Sequence, residues 1–315
     1  MTISRFPNGF SAGLLVRNIP ISDVCGGKVF FVGNNATAVE GEKTAADTNL
    51  NGKGGSFLQP FASIDYAIGQ CVANRGDIIY VRSGHAVSVV AAGGIALDVA
   101  GVSIIGLGAG ENRPTVSFAT SANASITISA ANCRISNLLF KCNIASQNHM
   151  IDLTATDCTI DNCAFREGSA TGLTFITADT ADSDSQRLRV IDCSFHAPTA
   201  GNYDSAICLG KDFTGVRVVN CDMYGDFDDA CFNVPAGGNA QVDLRILSCR
   251  MDNLQTGRPS ILINSTTNTG MIAECYCQGD TLASIIDTGG LSMFQTYVHD
   301  KADQSYAIVT GTIVS

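Results

Sequence analysis

Tryptophan is absent from the 315 residues, proline occurs seven times, and only 15% of the residues carry a charge. The scarcity of charge, together with the lack of periodic blocks of Leu, Glu, Lys and Ala, excludes long amphipathic helices. No apolar stretch reaches the roughly 18 residues of a membrane-spanning helix. The opening MTISRFPNGFSAGLLVRN has no apolar core like that of a secretory leader, so the chain is expected to be made and kept in the cytoplasm until it joins whatever it belongs to. Basic runs are also missing and the net charge is -10, which speaks against nucleic acid as a partner. What the chain has instead is 32 glycines, many β-branched residues and thirteen cysteines, a composition suited to short strands joined by tight turns.

Six segments align without gaps: CRISNLLF (133–140), CTIDNCAF (158–165), LRVIDCSF (188–195), VRVVNCDM (216–223), LRILSCRM (244–251) and GMIAECYC (270–277). Their sixth column, the anchor, reads Leu138, Cys163, Cys193, Cys221, Cys249 and Cys275, at spacings of 25, 30, 28, 28 and 26 residues. Two residues later stand Phe140, Phe165, Phe195, Met223, Met251 and Cys277; three residues earlier stand Ile135, Ile160, Val190, Val218, Ile246 and Ile272. Five before the anchor are Cys133, Cys158, Leu188, Val216 and Leu244, with Gly270 closing the series. Side chains on a strand alternate faces. The odd step from minus three to the anchor therefore demands a bend if both are to point inward. The residue before the anchor is Asn137, Asn162, Asp192, Asn220, Ser248 or Glu274, and Asn and Asp tolerate left-handed backbone better than other non-glycine residues. A third strand follows each repeat, at 149–153, 173–177, 206–210, 230–234, 260–264 and 284–288.

This pattern predicts an all-β, right-handed parallel β-helix of eight or nine coils, roughly 40 Å long at about 4.8 Å per stacked strand. The anchor cysteines read as free thiols filling a narrow core; adjacent coils bring their Cα atoms within disulfide range, so bridging is the alternative, and their spacing fits no metal-ligand motif. Four regions are expected: an attachment arm (1–25), an N-terminal cap (26–76) with a strand, a loop and a short helix in the segment PFASIDYAIGQCVANRGD (60–77), the β-helix proper (77–300), and a closing strand (301–315). In the arm, Arg5, Phe6, Phe10, Leu14 and Leu15 show no usable period and are the candidate attachment residues, packing on the subunit itself or on a partner.

The stretch GSFLQPFASIDYAIGQCVANRGDIIYVRSGH (55–85) resembles the opening of the pectate-lyase-like right-handed β-helix superfamily, in which a Pro-Phe-x-[ST]-Ile helix feeds a Gly-Asp-x-Ile-x-Val strand. That superfamily holds lyases, hydrolases, epimerases and inert rods, so the resemblance implies fold and not function. SRFPNGF (4–10), KVFFVGNNAT (28–37) and LDVAGVSIIGLGAGENRPTVSF (97–118) resemble uncharacterised head- or tail-associated virion proteins of tailed bacteriophages. The resemblance implies a virion protein, on the head surface in preference to the tail, with the major capsid protein or other virion proteins and copies of itself, as a homotrimer, for partners.

Lyases of the fold gather several Asp around calcium beside a basic residue, and its hydrolases pair carboxylates. The one comparable constellation is the acidic turn Asp222, Asp226, Asp228 and Asp229 with Arg217 and Arg245 on flanking coils. A solvated turn is the plainer reading of it, and without Trp, with most Phe turned inward, aromatic platforms for sugars are not expected. His85, His149, His196 and His299 fall on different coils and no column joins them. Asp179, Asp182 and Asp184 do not match a calcium loop, and Gly106, Gly108 and Gly110 form a coil corner, since the βαβ context of a phosphate cradle is missing. The expectation is therefore a non-enzymatic capsid decoration or reinforcing protein without cofactor or metal; the alternative is a tailspike or tail-fibre module that binds or cleaves host surface polysaccharide.

Overall fold

The computed structural model describes residues 27–33, 57, 59–144, 146–168, 172–178, 187–199, 203–237, 240–264, 267–280 and 285–309, together with the strands Leu15–Val16 and Ile19–Pro20. These residues form a parallel β-solenoid. Each coil supplies one strand to each of three sheets of ten, ten and eight strands, called first, second and third in the order the chain visits them. The eight strands of the third sheet bound the complete coils at eight. No helix is long and apolar enough to cross a membrane.

The inward columns are the expected ones. Ile135, Ile160, Val190, Val218 and Ile246 pair in register along the first sheet, and Phe140, Phe165, Phe195, Met223, Met251 and Cys277 along the second. All are buried. The bend between the two sheets sits where the Asn/Asp column placed it. Asn137, Asn162, Asp192, Asn220, Ser248 and Glu274 all have φ between 51° and 57°. Their side chains also link successive coils: Asn162 Nδ2 donates to Asn137 Oδ1 at 3.2 Å and Asn220 Nδ2 to Asp192 Oδ1 at 2.6 Å. Glu274 is the column's poorest left-handed former, so Glu274→Asn is expected to raise stability by about 1 kcal/mol, read as a shift in the denaturation midpoint.

A second left-handed corner enters the first sheet six residues before the anchor, at Asn132 (59°), Asp157 (58°), Arg187 (58°), Gly215 (76°) and Asp243 (54°). Arg187 is held there by a fork of bonds to Asp157, at 2.5 and 2.6 Å. The inward series at minus five breaks at Gly270. A Cβ there would lie 1.9 Å from the Leu244 carbonyl oxygen, and its φ is +139°.

The twelve described cysteines are unbridged. Thiols suit the anchor column for a reason beyond size. Each Sγ approaches the carbonyl two residues earlier, as in Cys193 to Ile191 at 3.3 Å and Cys249 to Leu247 at 3.2 Å, and reaches a carbonyl of the preceding coil as well. Those carbonyls sit at the bend, and an alkyl side chain would offer them nothing. Burial pushes the Cys158 thiol up to about 12 and Cys193 well above its ordinary value, so these are inert core groups and not nucleophiles.

The anchor column extends toward the N-terminus through Leu138 and Pro114 to His85, which are joined by their flanking register. His85 is only 3% exposed, and neither ring nitrogen has a hydrogen-bond partner. Burial pushes its imidazole down to about 4 from 6.5. Because the folded value lies below the unfolded one, the chain loses stability as pH falls from 6.5 to 4, by about 3 kcal/mol in total. His85→Leu, which restores the filler used at Leu138, is expected to remove that loss. Equal acid sensitivity of the two proteins in melting curves at pH 7 and pH 4.5 would refute this account.

The cap helix is shorter than its sequence pattern suggested: Ile64–Ile68, started by the Ser63 side chain accepting from the Tyr66 N–H. Ile64, Ala67 and Ile68 are buried, while Cys71 lies beyond the helix end. At the other end, Tyr306–Val309 pairs antiparallel with Thr296–Asp300 and ends the parallel run of the second sheet.

Candidate functional site

Solenoid geometry fixes which side chains can meet. Outward residues stack at strand spacing within a sheet, and residues on different sheets look away from one another. The acidic turn is divided by this rule. Asp222 points outward on the second sheet, 3.8 Å from Arg250, and Asp226 is buried at the following corner. Asp228 and Asp229 lie on the third-sheet strand Phe227–Val234. Arg217 and Arg245 belong to the first sheet, where both bond Asp243, at 2.6 and 2.9 Å. The six residues do not converge. The period-two alternation within Asp222 to Asp229 passes through a corner, and a linear reading of the sequence does not register that change of face.

The structure does gather three carboxylates that the sequence kept apart. Tyr203 pairs with Phe227 but Ser205 pairs with Ala230, so a bulge leaves Asp204 facing both Asp228 and Asp229. Burial, with added repulsion from Asp229 and Asp228, pushes Asp204 up to about 6. Asp228 accepts from Gln255 Nε2 at 2.6 Å and Asp229 from Asn233 Nδ2 at 3.0 Å, which steadies two of the three.

The outer face of the second sheet holds a different cluster. One column runs Arg166, His196, Tyr224, Asp252, Gln278 and His299, and the neighbouring one runs Ser194, Asp222, Arg250, Tyr276 and Tyr297. His196 stacks on Tyr224 at 5.3 Å and Tyr276 on His299 at 6.5 Å. Arg250 bridges Asp222 (3.8 Å) and Asp252 (3.5 Å). Burial raises the Asp252 carboxyl above its ordinary value, against the pull of Lys301 and Arg250. Two expectations are corrected here. His196 and His299 do share a column, since both lie three residues past the inward anchor position. The ninth anchor is Thr296, which hid the match. Aromatic platforms are also present, made by tyrosines that occupy outward positions and not by the inward phenylalanines.

Other candidates remain as solitary features. His149 lies on the third sheet. Gly106 and Gly108 form a coil corner whose carbonyls accept from Asn137 Nδ2 at 2.7 and 2.9 Å. Arg5, Phe6, Phe10 and Leu14 lie outside the described residues, as do Asp179, Asp182 and Asp184; Leu15 begins a two-residue strand paired with Ile19–Pro20. Among the described residues, no group of three or more His, Cys, Asp or Glu is arranged to hold a metal ion.

No protein family and no curated protein matches the chain in sequence. Among solved structures, a rhamnogalacturonan lyase superposes with a TM-score of 0.42 at 9% identity, over 90% of each chain. A likeness at that level carries nothing about substrate or chemistry.

Proposed function

We propose that this chain is a non-enzymatic structural rod of a tailed-phage virion, decorating and reinforcing the capsid surface through contacts with the major capsid protein. The observation that carries this reading is the continuity of the three sheets. Ten strands hydrogen-bond in sequence from Val29–Val32 to Ser292–Phe294 over one connected hydrophobic cluster, so the rod resists bending and offers long flat faces for lateral contact. The resemblance of residues 4–10, 28–37 and 97–118 to phage virion proteins supplies the setting. Mass spectrometry of separated heads and tails, followed by cryo-electron microscopy, tests the assignment. A regular array of density on the head is expected, and density confined to the tail tip would overturn it.

The outward cluster on the second sheet supports a second reading, a tail module that binds host surface polysaccharide. Stacked Tyr and His rings offer faces for sugar rings, with Asp222, Arg250 and Gln278 beside them to bond hydroxyls. Retention of host envelope polysaccharide by the purified protein, lost in Tyr276→Ala with Tyr297→Ala, is its expected signature.

A further inference from the structure

The three faces of the rod carry segregated charge. Within its strands the first sheet has Arg134, Arg189, Arg217 and Arg245 against one carboxylate, Asp161. The third sheet has Asp152, Asp204, Asp228, Asp229 and Asp287, and no Lys or Arg among its described strands. The second sheet is balanced, with Lys141, Arg166 and Arg250 against Asp222, Asp252 and Asp300.

Both charged faces hold like charges in contact. Arg189, Arg217 and Arg245 are direct register partners on successive strands, an arrangement that destabilises a sheet when left alone, and the last two share a single carboxylate, Asp243. Across the rod, Asp204 faces Asp228 and Asp229 at the bulge. The basic face is also partly apolar. Ile191, Val219 and Leu247 run in register beside the arginines, and the column passes through the buried Ala273 to Phe294, which is 45% exposed. On the acidic face Leu173 is 40% exposed.

We infer that the basic first-sheet face of one copy docks on the acidic third-sheet face of another. The partner is a second copy because the chain as a whole is strongly acidic, and its own third sheet offers the complement to its own arginine column. Each face's internal repulsion is relieved by the other, and the apolar stripe between the arginines gains burial. A contact between two different faces is heterologous, so it builds rings or rows and not twofold pairs. This inference is independent of the virion reading.

Sedimentation of the full chain at low ionic strength, and again near 1 M salt where the Debye length is about 3 Å, gives the first test. Self-association at low salt that weakens at least tenfold at high salt is expected. The second test uses two doubly substituted chains. Arg189→Gln with Arg245→Gln leaves only the acidic face able to dock, and Asp204→Asn with Asp229→Asn leaves only the basic face, and neither change creates a new complementary charge. Each alone is expected to be monomeric with circular dichroism like that of the parent, while an equimolar mixture forms a complex of one copy of each. A parent chain that stays monomeric at low salt, association indifferent to salt, or a mixture that remains monomeric would overturn the proposal.

Discussion

Replacing Phe165 with alanine is expected to cost about 3 to 5 kcal/mol and to split the unfolding of the rod in two. Phe165 stacks between Phe140 at 4.8 Å and Phe195 at 4.7 Å, and Phe175 closes on it at 5.9 Å from the third sheet. The vacated space is lined by rigid rings fixed to separate ladders, so it cannot collapse around a methyl group. In a solenoid each coil is stabilised by its neighbours alone. A defect at the fourth complete coil therefore weakens coupling between the two halves, which no longer melt together. Hydrogen exchange is expected to show the coils on either side opening independently. A single transition with unchanged cooperativity would count against nearest-neighbour coupling as the source of the rod's rigidity.

Replacing Asp77 with alanine is expected to be as costly, about 3 to 5 kcal/mol, but confined to one end. Its carboxylate is fully buried and accepts four bonds: from the backbone of Lys28 (2.6 Å) and Val72 (2.8 Å), and from Arg75 Nε and Nη2 (2.7 and 2.6 Å). One side chain thus ties the strand Val29–Val32, the segment after the cap helix and the first strand of the coil series. Asn would not substitute, because an amide nitrogen cannot accept two of those bonds. Burial alone would raise the carboxyl, but the Arg75 fork and the two backbone N–H groups prevail and hold it below its ordinary range. Its contribution is therefore present above the unfolded carboxylate value, about 3.9, and is lost as pH falls through the lower folded value. Rapid proteolysis and exchange in residues 28–33 and 59–81, with the distal coils protected, is the expected outcome in Asp77→Ala. Uniform destabilisation would show that the cap and the coils form a single unit.

Asp77 also marks where motif reading was informative. The Gly-Asp before the first strand was visible as part of a resemblance to β-helix openings, yet its physical role depends on three segments converging on it. The six-fold repeat was legible in far more detail, because every coil places the same backbone bend at the same register. A local conformational demand repeated six times leaves a column of Asn, Asp, Ser and Glu. The corner six residues before the anchor left a weaker trace. Gly215 and Asn132 fit it, but Arg187 occupies it through its fork to Asp157, and that partner lies in the preceding coil.

The outward chemistry was read least well. Asp222 to Asp229 looked like one acidic turn because its residues are consecutive, whereas the chain crosses from the second sheet to the third inside it. His196 and His299 looked unrelated because 103 residues separate them, whereas three intervening coils place them in one column.

The sequence by itself determined the coil, its inward columns and its first corner, since these are local periodicities with a backbone cause. Only the tertiary structure decided which outward side chains share a face. That depends on the register of strands a whole coil apart, and irregular loops shift this register without any mark in the local pattern. The arginines stand in one column of the aligned repeats, four before the anchor, but the carboxylates that face one another at the bulge and the reach of the tyrosine face to Tyr297 and His299 emerge only when the coils are stacked.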